Sequence, residues 1–203
     1  IDGVRMEGLG QIEKIIDDLT AIPRELPFQL SLFKVNEPFL DERLIPLLAN
    51  VRERLPNAHV SLTTNVQPLT EAKLDALLAA SELAYLWVSI NEYEPEPYRQ
   101  VMGLNFDITL RRLQMLHRRA QAGMKLNIVL SRVGDGSPRD VAFIEYCKRE
   151  FPLFAVNVFS RGSWLGQVGD VVQAPIFGVA CQRWYELSIT CTGIVAHCCM
   201  DGK

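Results

Sequence analysis

Five short apolar runs, each separated from the next by a stretch of helical periodicity, limit this chain to a small set of folds. The runs are residues 28–33 (FQLSLF), 60–64, 85–90 (YLWVSI), 126–130 and 154–159. They are too short for helices and are apolar nearly throughout, which is how strands of a covered parallel sheet read. Between them, apolar residues recur at intervals of three and four. Leu44, Leu47, Leu48, Val51 and Leu55 predict one helix face within 41–55. Residues 70–80 predict a second helix, with Thr70 as N-cap. Residues 107–122 predict a third, with Leu110, Leu113, Leu116 and Ala120 inward and Gly123 as the stop. Ser137-Pro138 opens a fourth, with Val141, Ile144 and Cys147 inward.

Strands alternating with helices imply right-handed βαβ units and a parallel sheet. Ile12, Ile15, Ile16, Leu19 and Ile22 place a helix before the first strand, ended by Pro23. A further strand is therefore expected ahead of it. The expected fold is α/β: a partial (βα)6 TIM-like barrel with parallel strands, open rather than eightfold, followed by a short β-hairpin. Residues 160–179 hold four Gly and one Pro and read as linker. Residues 184–190 and 194–198 read as two strands turning at Cys191-Thr192-Gly193. The expected divisions are 1–160, 161–180 and 181–203.

With 203 residues, 48% of them apolar, the chain can bury one substantial core. A net charge of −3 without long runs of either sign gives no reason to expect a nucleic-acid partner or a membrane surface. No stretch reaches the roughly 18 apolar residues of a membrane span. The first residues, Ile1-Asp2-Gly3-Val4-Arg5, carry neither a start Met nor a signal-peptide layout. A cytoplasmic location is expected. Four of the five cysteines fall in the last 23 residues, which suits metal or cluster ligation in a reducing compartment better than a spread disulfide framework.

Ligands of parallel βα folds bind where the C-terminal strand ends converge. The residues following the five runs are polar: Lys34 and Asn36-Glu37, Thr64-Asn65, Ser89 through Glu92, Ser131-Arg132, and Ser160-Arg161. Three of these segments carry a resemblance. Asn36-Glu37-Pro38-Phe39-Leu40-Asp41 ahead of a helix is similar to the GGEPLLD segment of radical SAM enzymes. Thr63-Thr64-Asn65 with Leu69-Thr70 resembles that family's TNG…LT segment, and Trp87-Val88-Ser89-Ile90 with Tyr98 and Gly103 resembles its vSiDg…Y…iRG segment. The three occur in order, at matching spacing, across roughly residues 10–160.

The resemblance implies a cofactor, S-adenosylmethionine, and places Asn36 and Glu37 beside its methionyl amino group. Ser89 would hold the methionyl carboxylate or ribose, and Asn65 would line the same pocket. Read as residues alone, Glu37 also suits the start of a helix, Asn65 an Asx-turn, and Ser89 a core hydroxyl bonded to backbone. The sequence departs from the family at its paired glycines, here Val35 and Asn36, and at the Arg before Gly103, here Met102. Arg132 or Arg99 would have to replace that Arg. The family's three-cysteine loop for its [4Fe–4S] cluster does not occur in these 203 residues, and its place would be ahead of residue 1.

Cys181, then 11 residues, Gly193, four residues and Cys198 resembles the opening half of the family's SPASM or twitch extension. That implies thiolate ligation of an auxiliary iron–sulfur cluster by Cys181 and Cys198. A hairpin would bring them together, with Gly193 supplying the turn. Buried, packing cysteines are the competing account. Cys147 reads as core, and His117 as lying on the outer part of its helix. Glu92, Glu94 and Glu96 read as a solvated loop. No general base is assigned. The activity the resemblance implies is oxidoreductase-type radical chemistry, in which a 5′-deoxyadenosyl radical abstracts hydrogen from a small-molecule or peptide substrate. The electron donor would be a flavodoxin or ferredoxin. A βα domain that binds a ligand without radical chemistry, or a barrel enzyme with zinc on its cysteines, would carry the same element pattern.

Overall fold

The computed structural model describes residues 9–32, 36–160, 185–190 and 193–196. Two compact units divide the chain: residues 22–160, and residues 1–21 with 161–203. The larger holds one five-stranded sheet. Its strands are β1 (Phe28–Ser31), β2 (Ala58–Thr64), β3 (Tyr85–Ser89), β4 (Ile128–Gly134) and β5 (Ala155–Ser160). All pair in parallel, in the spatial order β1-β2-β3-β4-β5. A doubly wound sheet reverses its strand order at a switch point. This one never reverses, so it has the order of a barrel wall, left open among the described residues. The α/β partial-barrel expectation holds.

Helices α2 (Leu44–Arg54), α3 (Glu71–Ala80), α4 (Pro95–Met102), α5 (Phe106–Gln121) and α6 (Pro138–Glu150) connect the strands. Burial alternates along β2 and β3. The buried set, Val60, Leu62, Leu86, Val88 and Ile90, forms a core with Leu48, Leu74, Leu77, Leu113, Leu116 and Phe143 from α2, α3, α5 and α6. Each such side chain removed from water contributes roughly 1.5–3 kcal/mol. The other face of β3 carries Tyr85, Trp87 and Ser89, which are half-buried or exposed. Trp87 meets Tyr85 at 6.2 Å and Phe159 at 5.6 Å between ring centroids. Apolar sequence on both faces therefore does not mean burial on both faces here.

Several expectations need correction. Strand β4 continues past Leu130 to Gly134, because its polar residues Ser131 and Arg132 still pair with β5, through Gly134↔Ser160. Helix α4 occupies a stretch expected to be loop. Pro95 begins it with φ already helical, and Gly103 ends it in the left-handed conformation. In α6 the buried residues are Phe143 and Cys147, whereas Val141 is 58% exposed. His117 does not face outward. It is half-buried, edge-on to Phe151 and Phe154 at 5.8 and 5.6 Å, with Nε2 buried and without a hydrogen bond among the described residues.

The smaller unit contains α1 (Leu9–Leu19) and an antiparallel pair, β6 (Ser188–Ile189) with β7 (Val195–Ala196). Gly193 takes φ +80 between them and its N–H donates to Thr190 O, so the expected hairpin forms, with shorter strands. No helix among the described residues is long and apolar enough to cross a membrane.

Candidate functional site

Glu37 follows β1 and begins a 3-10 turn, Pro38–Leu40, as its N-cap. Its carboxylate accepts three hydrogen bonds. Oε1 takes Phe39 N at 3.2 Å and Thr64 Oγ1 at 2.7 Å, and Oε2 takes Asn65 N at 2.7 Å. Two of these donors lie at the end of β2, so Glu37 ties the loop after β1 to the next strand end. A carboxylate has about four lone-pair positions. Among the described residues one, on Oε2, is left for a further donor. The residue therefore both caps the turn and keeps capacity for a ligand.

The β2 end is shaped for this. Thr64 Oγ1 donates to Glu37 and accepts Val66 N at 2.8 Å. Asn65 Oδ1 accepts Gln67 N at 3.0 Å, which is an Asx-turn. That bond assigns the amide orientation: the atom facing an N–H is the oxygen, so Nδ2 is the remaining donor. Val66 then sits at φ +66, fully buried. A β-branched residue in the left-handed region is an outlier, held here by the hydrogen bonds on both sides and by Leu69 N donating to Val66 O at 3.0 Å.

Thr64 and Val88 are register partners, so Asn65 and Ser89, each one residue further, end neighbouring strands roughly 5 Å apart. Ser89 in turn pairs with Ser131 of β4. The sheet thus sets Glu37, Asn65 and Ser89 side by side across three consecutive strand ends. Asn36 lies next to Glu37 and is exposed. What the half-buried residues offer a ligand is one acceptor position, on Glu37, and two donors, Asn65 Nδ2 and the Ser89 hydroxyl. An ammonium beside a carboxylate presents the complement of that set.

Arg132 lies one strand further and is deeply engaged. Its Nε donates to Asp140 Oδ1 at 2.7 Å, and its Nη1 donates to Glu92 Oε1 at 2.7 Å and to Asn91 O. Arg132 is 5% exposed and Glu92 4%. Burial acts to lower the guanidinium pKa, but the bonds to Asp140 and Glu92 together leave it raised, so the charge is permanent. Glu92 also accepts Arg139 Nε at 2.8 Å, and Glu94 accepts Arg139 Nη2 at 2.8 Å. Glu94 and Glu92, in that order, push the Arg139 pKa up as well. The solvated-loop expectation thus fails for Glu92, whose partners lie 40 and 47 residues away. Gly134 has no room for a side chain: a Cβ would come within 2.5 Å of both Asp140 Oδ2 and Val158. The network fixes the ends of β3 and β4. Of the three Arg132 nitrogens, Nη2 makes no hydrogen bond among the described residues.

Met102, where the family motif has Arg, directs Sδ to Asn91 Nδ2 at 3.0 Å. Arg99 is exposed and paired with Glu96 at 3.0 Å. Cys147 is fully buried, and burial pushes its thiol up to about 12, so it is packing rather than a nucleophile. Cys181 and Cys198 lie outside the described residues. Among the described residues no cluster of three His, Cys, Asp or Glu side chains could hold a metal.

No family model matches the chain. No curated protein matches it either. Matching solved structures include BtrN in an open conformation, at 21% identity over 40% of this chain and 37% of that chain, with a TM-score of 0.37. They also include BtrN in complex with AdoMet and 2-DOIA, at 19% identity over 54% of this chain and 45% of that chain, with a TM-score of 0.39. The chain matches less than half the length of each.

Proposed function

We propose that this chain is the S-adenosylmethionine-binding part of a radical SAM enzyme. The observation that carries the reading is the leftover hydrogen-bonding set at three adjacent strand ends: an acceptor on Glu37 and donors on Asn65 and Ser89. These are residues that the ordered motif resemblance selects. Glu37 accepts the methionyl ammonium while its other lone pairs keep the pocket in place. Ser89 and Asn65 donate to the methionyl carboxylate, and Asn36 borders the amino group. Arg132 supplies positive charge from behind, through Nη2 and through the Asn91 carbonyl it holds.

A [4Fe–4S] cluster, whose three-cysteine loop is not among these 203 residues, would supply the electron for cleavage of S-adenosylmethionine. Cys181 and Cys198 would hold an auxiliary iron–sulfur cluster. The open mouth of the sheet, with Trp87 and Phe159 on its face, receives a small-molecule or peptide substrate. A flavodoxin or ferredoxin would be the electron partner. Met102 favours a second reading, a binding domain without radical chemistry, because its thioether cannot pair with a carboxylate as an Arg would.

Calorimetric titration tests the binding step. S-Adenosylmethionine should bind at least about tenfold tighter than 5′-methylthioadenosine, which lacks the amino-acid part. Glu37→Gln and Ser89→Ala should each erase most of that difference. Equal affinity for the two ligands, or no binding, would refute the reading. Iron reconstitution of the longest available chain, with a 5′-deoxyadenosine assay, separates the radical enzyme from the binding domain.

A further inference from the structure

The single turn Pro38–Leu40 is fastened at both ends to the connection that follows β2. Glu37 caps its first end, with a carboxylate on Phe39 N, Thr64 Oγ1 and Asn65 N. The second end has carbonyls to satisfy. Leu40 N donates to Glu37 O at 3.2 Å and Asp41 N to Pro38 O at 3.1 Å, so two of them have backbone partners. The turn then stops. The next carbonyl, Phe39 O, is met by a side chain: Lys73 Nζ donates to it at 2.6 Å across 34 residues of sequence. A cation at the carbonyl end of a helical turn also complements the turn's dipole.

Lys73 is itself held in place. It is the third residue of α3, and its N–H donates to the N-cap Thr70 Oγ1 at 3.3 Å. Leu69 N donates to Val66 O at 3.0 Å and Val66 N to Thr64 Oγ1 at 2.8 Å, which makes residues 64–73 one braced segment. From this segment Thr64 and Asn65 reach the Glu37 carboxylate, and Lys73 reaches Phe39 O. Phe39 is thereby held on both sides, its N–H by Glu37 and its carbonyl by Lys73, with its ring 3% exposed. Any rotation of the turn that moves Phe39 moves the carboxylate bonded to it.

We propose that Lys73 is a positioning residue for Glu37: by holding Phe39 from the carbonyl side, it keeps the open lone pair of Glu37 Oε2 turned toward a ligand's ammonium group. This rests on the function proposed above. Lys73 does not touch the ligand and acts through Glu37. Charge alone predicts the opposite sign. S-Adenosylmethionine carries a net positive charge, so removing a nearby ammonium would strengthen its binding by electrostatics. Loss of the brace weakens it.

The test is a set of calorimetric affinities for S-adenosylmethionine and for 5′-methylthioadenosine. The proteins are wild type, Lys73→Met, Lys73→Gln, Lys73→Arg, Glu37→Gln and the Lys73→Met/Glu37→Gln double variant. Lys73→Met keeps the stem and removes the donor. It should weaken S-adenosylmethionine about fivefold and change 5′-methylthioadenosine by less than about twofold, the unchanged ligand serving as proof of folding. Lys73→Gln, too short to span the same gap, should behave alike and stands in if Lys73→Met does not fold. Lys73→Arg, which restores a cationic donor, should recover most of the loss. The double variant should bind S-adenosylmethionine as Glu37→Gln does. Losses that add in the double variant would mean that Lys73 meets the ligand directly, and would overturn the proposal. So would tighter or unchanged binding by Lys73→Met and Lys73→Gln, or an equal loss for both ligands. A wild type that does not prefer S-adenosylmethionine removes the function and this proposal together. A wild type that does prefer it, with indifferent Lys73 variants, removes this proposal alone.

Discussion

Replacing Glu92 with Gln should destabilise this protein far more than removing the exposed charge of nearby Glu96. Glu92 is buried and meets two guanidinium groups, Arg132 Nη1 at 2.7 Å and Arg139 Nε at 2.8 Å. The amide of Gln keeps the volume but removes the charge and turns one oxygen into a donor, which faces a cation. Arg132, itself 5% exposed, is then left with Asp140 as its one carboxylate. Removing one partner from a buried pair costs about 3–5 kcal/mol, because the remaining charge stays desolvated. With a urea dependence of about 2 kcal/mol per molar for a domain of this size, the unfolding midpoint should fall by roughly 1.5–2.5 M. Glu96→Gln is the control. Its pair with Arg99 is solvent-exposed on both sides, with 71% and 60% of the side chains accessible, and its loss should leave the midpoint nearly unchanged. The assay is urea denaturation followed by circular dichroism, at low and at high salt. The Glu92 effect should persist in high salt, because buried pairs are poorly screened. A midpoint shift no larger than that of Glu96→Gln would refute the idea that this network holds the ends of β3 and β4.

Two further outcomes are expected. Burial raises the Cys147 thiol from 9.0 to about 12, so between those values the unfolded chain loses a proton that the folded chain keeps. That contribution to stability is complete below pH 9 and declines at up to about 1.4 kcal/mol per pH unit above it. Cys147→Val should flatten the alkaline arm of a melting-temperature profile, and an unchanged slope would contradict the assignment. Val66→Gly should alter stability by no more than about 1 kcal/mol, because relief of the left-handed strain offsets the lost side chain. Val88→Gly, also fully buried but in regular strand, should cost several times more by thermal melting.

The strand–helix alternation was legible because it is local. Short apolar runs, the Thr70 cap and the Ser137-Pro138 start depend on neighbours a few residues apart, and each reappears in the structure. Strand ends were less legible where polar residues continue a ladder, as Ser131 and Arg132 do in β4. Helix α4 was hidden by two prolines and three glutamates, which read as loop until Pro95 is seen at the first helical turn. Glu92 was hidden for a different reason: nothing around it in the sequence announces Arg132 or Arg139. Glu37, Asn65 and Ser89 were picked out by their places after the apolar runs and by motif order, and the adjacency of the β2 and β3 ends follows from the parallel register. The positive φ of Val66 and Asn91 left no sequence signal beyond the ordinary tolerance of Asn for that region.

The unreversed strand order also bears on how the sheet is assembled in time. Phe28 pairs with Ala58, Ser61 with Tyr85, Leu86 with Ile128 and Val129 with Ala155, so every ladder closes over a few tens of residues. No strand has to wait for a distant segment to be inserted beside it. Loop-closure entropy is met in small, successive instalments, which favours fast folding for a parallel sheet. As the chain leaves a ribosome, each new βα unit can dock on the edge left by the one before it, and the strand made last is always the exposed rim.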